Sequence, residues 1–208
     1  MPDSGIETPA LIAILRGVAP DRVVGVANIL VESGIGIVEV PLNSPDPFAS
    51  IAALARRFGA RILCGAGTVT DAADVSRVAD AGGRIVVAPN TNPSVIGQAI
   101  AKGLIPMPGF ATATEAFAAI AAGARHLKLF PARTYGPAHL KALKAVLPRD
   151  VAVHAVGGIG PGEMAEWIAA GANGFGLGSE LFRPGYSDVE IAERARRAVA
   201  AFEGAIGS

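Results

Sequence analysis

Lys128 is the side chain whose placement most needs explaining. It sits at the centre of Ala-Arg-His-Leu-Lys-Leu-Phe-Pro-Ala, residues 124–132, an apolar run with the period-2 pattern of a buried strand. If Leu127 and Leu129 face a layer of helices, then His126, Lys128 and Phe130 face a core. Burial disfavours the charged amine. Lys128 is therefore either a lysine snorkelling out of a strand end or an amine kept partly neutral to attack a carbonyl, a Schiff-base lysine. The other lysines, Lys102, Lys141 and Lys144, fall on polar faces or ends of helical patterns. Glu39 lies in Ile37-Val38-Glu39-Val40-Pro41. Alternation sends Val38 and Val40 to one side and Ile37 and Glu39 to the other. A buried carboxylate is expensive unless paired. Glu39 is thus half of an ion pair with Arg16 or Lys128, or the proton-transfer group beside a Schiff base.

The remaining unusual residues follow apolar runs. Arg16 ends the first and is suited to bidentate binding of a carboxylate or phosphate, or to neutralising Glu39. Thr68 follows the third run, and Pro89 and Asn90 the fourth. Gly157-Gly158 and Gly178-Ser179 follow the last two. Backbone amides there suit a phosphate, although glycine after a strand is also ordinary turn chemistry. Val156 precedes the first glycine pair and should border a cavity between Lys128 and that phosphate. His126 reads as packing below Lys128. His139 and His154 have no acidic partner at metal spacing. Cys64 reads as a small core residue and Trp167 as helix packing. No metal or cofactor is expected.

These residues need a scaffold, and the chain supplies strand, turn and helix in repetition. Apolar runs at 11–15, 35–42, 61–64, 84–88, 104–107, 126–130, 151–156 and 174–177 read as strands. Between and after them, helical patterns cover 20–33, 45–58, 71–81, 93–102, 112–122, 137–147, 161–170 and 188–202. Gly34, Gly82, Gly123 and Gly171 each stand where a helix must close. Eight units of about 25 residues suit parallel strands with crossover helices. They favour a closed (β/α)8 TIM barrel, with the site at the C-terminal ends of the strands. A doubly wound open sheet is the alternative, but no Gly-x-Gly-x-x-Gly follows the first strand.

Composition narrows the class. The 208 residues are 51% hydrophobic and 17% charged, which suits one globular domain spanning 1–208. A formal net charge of zero and the lack of a basic stripe argue against nucleic acid. Apolar runs break before membrane-spanning length. The first residues lack a signal-peptide pattern. The single cysteine permits no internal disulfide. A cytoplasmic protein is expected.

From Leu11 to about Arg183 the chain resembles the class I 2-keto-3-deoxy-6-phospho-sugar-acid aldolases. The motifs are Ile-Leu-Arg-Gly (14–17), Val-Glu-Val-Pro-Leu-Asn-Ser-Pro (38–45), Gly-Ala-Gly-Thr-Val (65–69) and Ala-Pro-Asn (88–90). They continue with Pro-Gly-Phe-Ala-Thr-Ala-Thr-Glu (108–115), Leu-Lys-Leu-Phe-Pro-Ala (127–132) and Val-Gly-Gly-Ile (156–159). The resemblance implies Lys128 as the Schiff-base lysine and Glu39 as the general acid/base. Arg16, Thr68 and the backbone near Pro89 would contact the pyruvate end. Gly157, Gly158, Gly178 and Ser179 would hold the phosphate, with Phe130 in the same substrate-binding set. The 6-phosphogluconate branch carries arginine where this chain has Asn43 and threonine where it has Val156. Both positions look like the 6-phosphogalactonate branch, whose substrate differs at the C4 hydroxyl. The resemblance further implies a phosphorylated 2-keto acid as small-molecule partner and a homotrimer. Two rivals are a phosphate-binding barrel isomerase or synthase using Lys128 only as a charge, and a non-catalytic sugar-phosphate-binding protein.

Overall fold

The computed structural model describes Ile6 and residues 10–207. The opening residues, expected to carry no signal segment, lie outside the described ones apart from Ile6. Strands and helices alternate as β1 (Ala10–Ile14), α1 (Pro20–Glu32), β2 (Ile37–Pro41), α2 (Pro47–Phe58), β3 (Leu63–Gly67), α3 (Ala72–Asp80), β4 (Ile85–Val87) and α4 (Pro93–Ala101). They continue through β5 (Ile105–Met107), β6 (Gly109–Phe110), α5 (Ala113–Ala121), β7 (His126–Leu129), α6 (Ala132–Lys144), β8 (Ala152–Val156), α7 (Met164–Ala169), β9 (Gly174–Leu177) and α8 (Asp188–Ile206).

All pairings are parallel, in the order β5-β4-β3-β2-β1-β9-β8-β7-β6. The two ends of that order, β5 and β6, flank Pro108 and are halves of one strand. The first half pairs with β4 and the second with β7. The Lys128 N–H donates to the Pro108 carbonyl at 2.9 Å, carrying the pairing across the break. The sheet is therefore a (β/α)8 barrel whose fifth strand is interrupted by a proline, which has no N–H for the ladder.

Several element boundaries differ from the sequence reading, and three of the differences have a clear physical reason. β3 runs on through Gly65 and Gly67, which read as a loop after Cys64. A Cβ on Gly65 would collide with the Ile85 carbonyl, and one on Gly67 with the Glu39 carboxylate. These glycines serve close packing inside the barrel and form no turn. α6 opens at Ala132, five residues before the expected Pro137, because a separate first turn ends at Gly136 (φ +78, ψ 167) before Pro137 restarts the helix. The expected seventh helix opens as a 3-10 turn over Pro161–Glu163 and becomes α-helical from Met164.

Alternation sorts the side chains into two layers. Leu127, Leu129, Val38, Val40, Cys64 and the fully buried Trp167 belong to the layer between strands and helices. Ile12, Leu63, Ile85, Val87 and Met107 fill the barrel interior. Glu39, Lys128, His126 and His154 are the buried acidic and basic side chains among the described residues.

His126 and His154 form an imidazole pair in the interior. Nδ1 of His126 lies 3.2 Å from Nε2 of His154, one ring donating to the other. The remaining nitrogens, Nε2 of His126 and Nδ1 of His154, have no partner. Burial holds His126 below its ordinary value, and burial with the neighbouring ring takes His154 down to about 3. Stability tied to this pair is intact above the unfolded value near 6.5 and is lost as pH falls from there toward about 3, because the unfolded chain takes up protons that the folded one refuses. Glu39, raised to about 7, acts in the opposite sense between about 7 and 4.5. The pair must therefore be isolated by difference. The gap in urea midpoint between wild type and a His126→Leu/His154→Leu double variant should move against the wild type as pH is lowered from neutral. A gap constant across that window would show that the pair titrates normally.

Candidate active site

β2 and β7 deliver the two central groups to the barrel interior. Lys128 is 5% exposed and Glu39 1% exposed, so Lys128 does not snorkel. Burial depresses the Lys128 amine; the Glu39 charge partly offsets this and Arg16 reinforces it. Burial raises Glu39 to about 7, offset in part by Lys128 and then Arg16. The two groups feel each other without a closed ion pair. Among the described residues the salt bridges involve Arg22, Arg77, Arg125 and Arg133, all on the surface. Glu39 Oε2 has no hydrogen-bond partner. The Lys128 Nζ lies 4.9 Å from the centre of the Phe130 ring.

Arg16, at the mouth, is exposed. Its Nη1 donates to Asn43 Oδ1 at 2.6 Å and its Nη2 to Thr68 Oγ1 at 3.4 Å. Asn43 thus meets Arg16 and does not line the cavity beside Lys128. Thr68 has φ +58, a left-handed conformation that a β-branched residue adopts only when its surroundings enforce it. Pro89 lies two residues beyond β4 and beside Gly109, where any Cβ would strike the Pro89 carbonyl. Gly109 is in turn the register partner of Lys128.

A cavity of about 140 Å³ gathers Arg16, Lys128, Phe130, Val156, Gly157, Gly158, Gly178 and Ser179. Ile14, Ile159, Gly176 and Glu180 complete its lining. A larger cavity of about 660 Å³ opens at the N-terminal ends of the strands, around Ala10, Ile37 and Leu63. Its ionisable side chains, Arg61, Arg84 and Glu203, are all exposed. The smaller cavity is the chemical one because it alone reaches the buried amine.

Gly158, Ile159, Ser179 and Glu180 line one side of it. Among the described residues none of their backbone N–H groups donates to a protein acceptor. Four free donors at one wall suit an anion. Among the described residues no group of three or more His, Cys, Asp or Glu could hold a metal ion.

Sequence reasoning passed over Ser44, a buried hydroxyl that accepts from the Gly17 N–H at 2.9 Å and fastens the loop after β1 to the loop after β2. It also passed over Arg133, which donates to the Gly158 carbonyl at 2.7 Å. The signal for Ser44 was its place between Asn43 and Pro45. Arg133 was hidden by the late start assigned to its helix.

A lysine and a carboxylate buried in one barrel, with a guanidinium on one flank and free amides on another, form an arrangement suited to carbonyl chemistry on an anionic substrate. The chain matches the family described as KDPG and KHG aldolase over residues 3–194, and it belongs to that family. It is an aldolase, a carbon–carbon lyase. It is 48% identical, over 95% of its length and 93% of the relative's, to a probable 2-dehydro-3-deoxy-6-phosphogalactonate aldolase of Rhizobium meliloti. It is 46% identical to the 2-dehydro-3-deoxy-6-phosphogalactonate aldolase of Escherichia coli, over 94% of this chain and 96% of that one. A solved structure described as "Native KDPGal structure" superposes with a TM-score of 0.94 at 46% identity, covering 95% of this chain and 96% of that chain. Among the described residues no helix is long and apolar enough to cross a membrane.

The fit of Glu39 against Gly67 is a direct test of the interior. Gly67→Ala puts a methyl group into the carboxylate, and overpacking of this kind costs about 1–3 kcal/mol. We expect a lowered melting temperature and a clear loss of aldol cleavage. Gly185→Ala, with nothing within 4 Å, serves as the stability control. A Gly67→Ala protein as stable and as active as the wild type would show that the carboxylate moves aside freely.

Proposed function

We propose that this chain cleaves 2-dehydro-3-deoxy-6-phospho-D-galactonate to pyruvate and D-glyceraldehyde 3-phosphate through a Schiff base on Lys128. The observation that carries the reading is the buried, depressed Lys128 amine sharing the barrel interior with a Glu39 raised to about 7. The names of the two relatives above supply the substrate.

Neutral Lys128 attacks the C2 ketone to give a carbinolamine, and loss of water leaves an iminium. Glu39, ionised, takes the C4 hydroxyl proton, directly or through a water. The C3–C4 bond breaks, its electron pair flows into the iminium, and glyceraldehyde 3-phosphate leaves. The resulting enamine takes a proton at C3 from Glu39, and hydrolysis releases pyruvate and restores the amine. Arg16, held by Asn43 and Thr68, faces the pyruvate carboxylate. The backbone near Pro89 borders that end. The free N–H groups of Gly158 and Ser179, with Gly157 and Gly178 beside them, take the phosphate, and Phe130 and Val156 wall the middle. The single barrel acts as one domain in a cytoplasmic homotrimer that serves galactonate degradation. A mass measurement in solution tests the trimer.

Borohydride with pyruvate should add one reduced pyruvyl group, mapped to Lys128, and Lys128→Ala should abolish both adduct and cleavage in a folded protein. An adduct on Lys102, Lys141 or Lys144 overturns the assignment. Glu39→Gln should lower turnover about 100-fold or more. Because the base works ionised, wild-type turnover should fall as pH drops through about 7. Wild-type rates in the variant would make Glu39 a structural group.

The middle wall decides the epimer. Val156 is 3% exposed and packs toward Gly176, where a Cβ would lie 2.7 Å from its Cγ2. Valine offers no hydrogen bond to a C4 hydroxyl, whereas threonine is nearly the same size and offers one. An apolar wall rejects a hydroxyl only weakly. We expect a preference for the galactonate-derived substrate with leakage to the gluconate epimer. Val156→Thr should shift the kcat/KM ratio toward the gluconate epimer by about 1–3 kcal/mol. A ratio unmoved by the substitution removes Val156 from specificity.

A further inference from the structure

Arg133 lies in the first turn of α6, on the chain segment that leaves Lys128, yet its contacts go to the loop after β8. Its backbone N–H donates to the Gly157 carbonyl at 3.1 Å. Its Nε donates to the Gly158 carbonyl at 2.7 Å. Its Nη2 pairs with Glu163 Oε2 at 2.7 Å, and the same oxygen accepts from the Gly160 N–H at 2.9 Å. One arginine thus holds two successive carbonyls and is itself held.

A trans peptide keeps its C=O and N–H on opposite sides. Fixing the carbonyls of Gly157 and Gly158 toward Arg133 therefore turns the N–H groups of Gly158 and Ile159 away from it. Those are two of the free donors on the cavity wall. Gly157 and Gly158 have φ +106 and +83, and a Cβ on Gly158 would lie 2.9 Å from Arg133 Nε. Glycine is needed both for the backbone conformation and for the approach of the arginine. Two adjacent glycines are also the most mobile backbone available, so their donors bind an anion well only when something sets them in place beforehand.

We propose that Arg133, braced by Glu163, is a positioning residue that presets the Gly158 and Ile159 N–H groups for the anionic end of the substrate, an inference that rests on the phosphate reading above. Arg133 and Glu163 side chains are 62% and 39% exposed, so the pair adds little to stability and its loss is felt in binding.

The test compares wild type with Arg133→Ala, Arg133→Lys and Glu163→Gln. Three quantities are read: KM and kcat for the phosphorylated keto acid, the inhibition constant of inorganic phosphate, and the rate of borohydride trapping by pyruvate, which carries no phosphate. Arg133→Ala should raise KM and the phosphate inhibition constant about tenfold with kcat within about twofold, the scale of a lost charge-assisted hydrogen bond. Pyruvate trapping should keep its rate. Arg133→Lys keeps the charge without the Nε geometry and should follow the alanine variant; Glu163→Gln should shift KM in the same direction by less. An unchanged KM and phosphate constant in Arg133→Ala overturns the proposal, as does a fall in pyruvate trapping that parallels the fall in cleavage. A wild-type protein that traps pyruvate but is not inhibited by phosphate removes the phosphate reading itself, and the brace with it, before any variant is compared.

Discussion

Two opposite ionisable groups share a low-dielectric interior without touching, and the rest of the site depends on that arrangement. A closed Lys128–Glu39 salt bridge would hold the amine charged and the carboxylate ionised, which suits neither attack on a ketone nor proton shuttling. Complete isolation would neutralise both. Here burial dominates each group, and the distant partner only moderates it. The amine is pushed toward its nucleophilic form, while the carboxylate is brought to about 7, where it can both take and return a proton.

Holding that arrangement requires room as much as contact. Gly67 leaves space for the Glu39 carboxylate, and Gly109 lets the Pro89 carbonyl approach the strand beside Lys128. Gly176 does the same for Val156. Each removes a methyl group that would displace a functional atom, so packing in this part of the barrel is set by the site and not by maximal apolar fill. The His126–His154 pair adds buried polarity in the same interior. Burial lowers both imidazoles, which favours their neutral forms, so the pair adds no further cation to an interior that already depresses the Lys128 amine.

The facing of Lys128 and Glu39 was legible because a strand has a strict period of two, and one polar residue in an apolar run betrays its side. The eight units were legible for the same reason, with Gly34 and Gly123 marking where helices close (φ +98 and +104). What escaped were features set by neighbours distant in sequence. Gly65 and Gly67 look like turn residues until Ile85 and Glu39 are seen pressing on them. The break at Pro108 is invisible until the sheet closes. Asn43 was marked on resemblance alone; that its Oδ1 accepts from Arg16, 27 residues away, could not be read from the chain. Arg133 was lost because Gly136-Pro137 resembles a helix start and hides the turn before it.

The site's parts also come from different regions of the barrel, which bears on how it selects a substrate. The guanidinium and its tethers follow β1, β2 and β3. The amine stands on β7, and the free amides follow β8 and β9. Because the strands are joined through a continuous ladder, the separation between the carboxylate end and the anion end is a property of the whole barrel and is not adjusted by any one side chain. On the proposed function, a substrate fixed at both ends and covalently held near one of them would have little freedom to slide. Its C4 substituents would then meet the wall between Lys128 and Gly157, to which Phe130 and Val156, the last residue of β8, both contribute. Epimers share the same length, carboxylate and phosphate, so neither end can tell them apart. On that reading discrimination would fall to the middle wall, where Val156 is a position at which a near-isosteric substitution changes the chemistry with little change of shape.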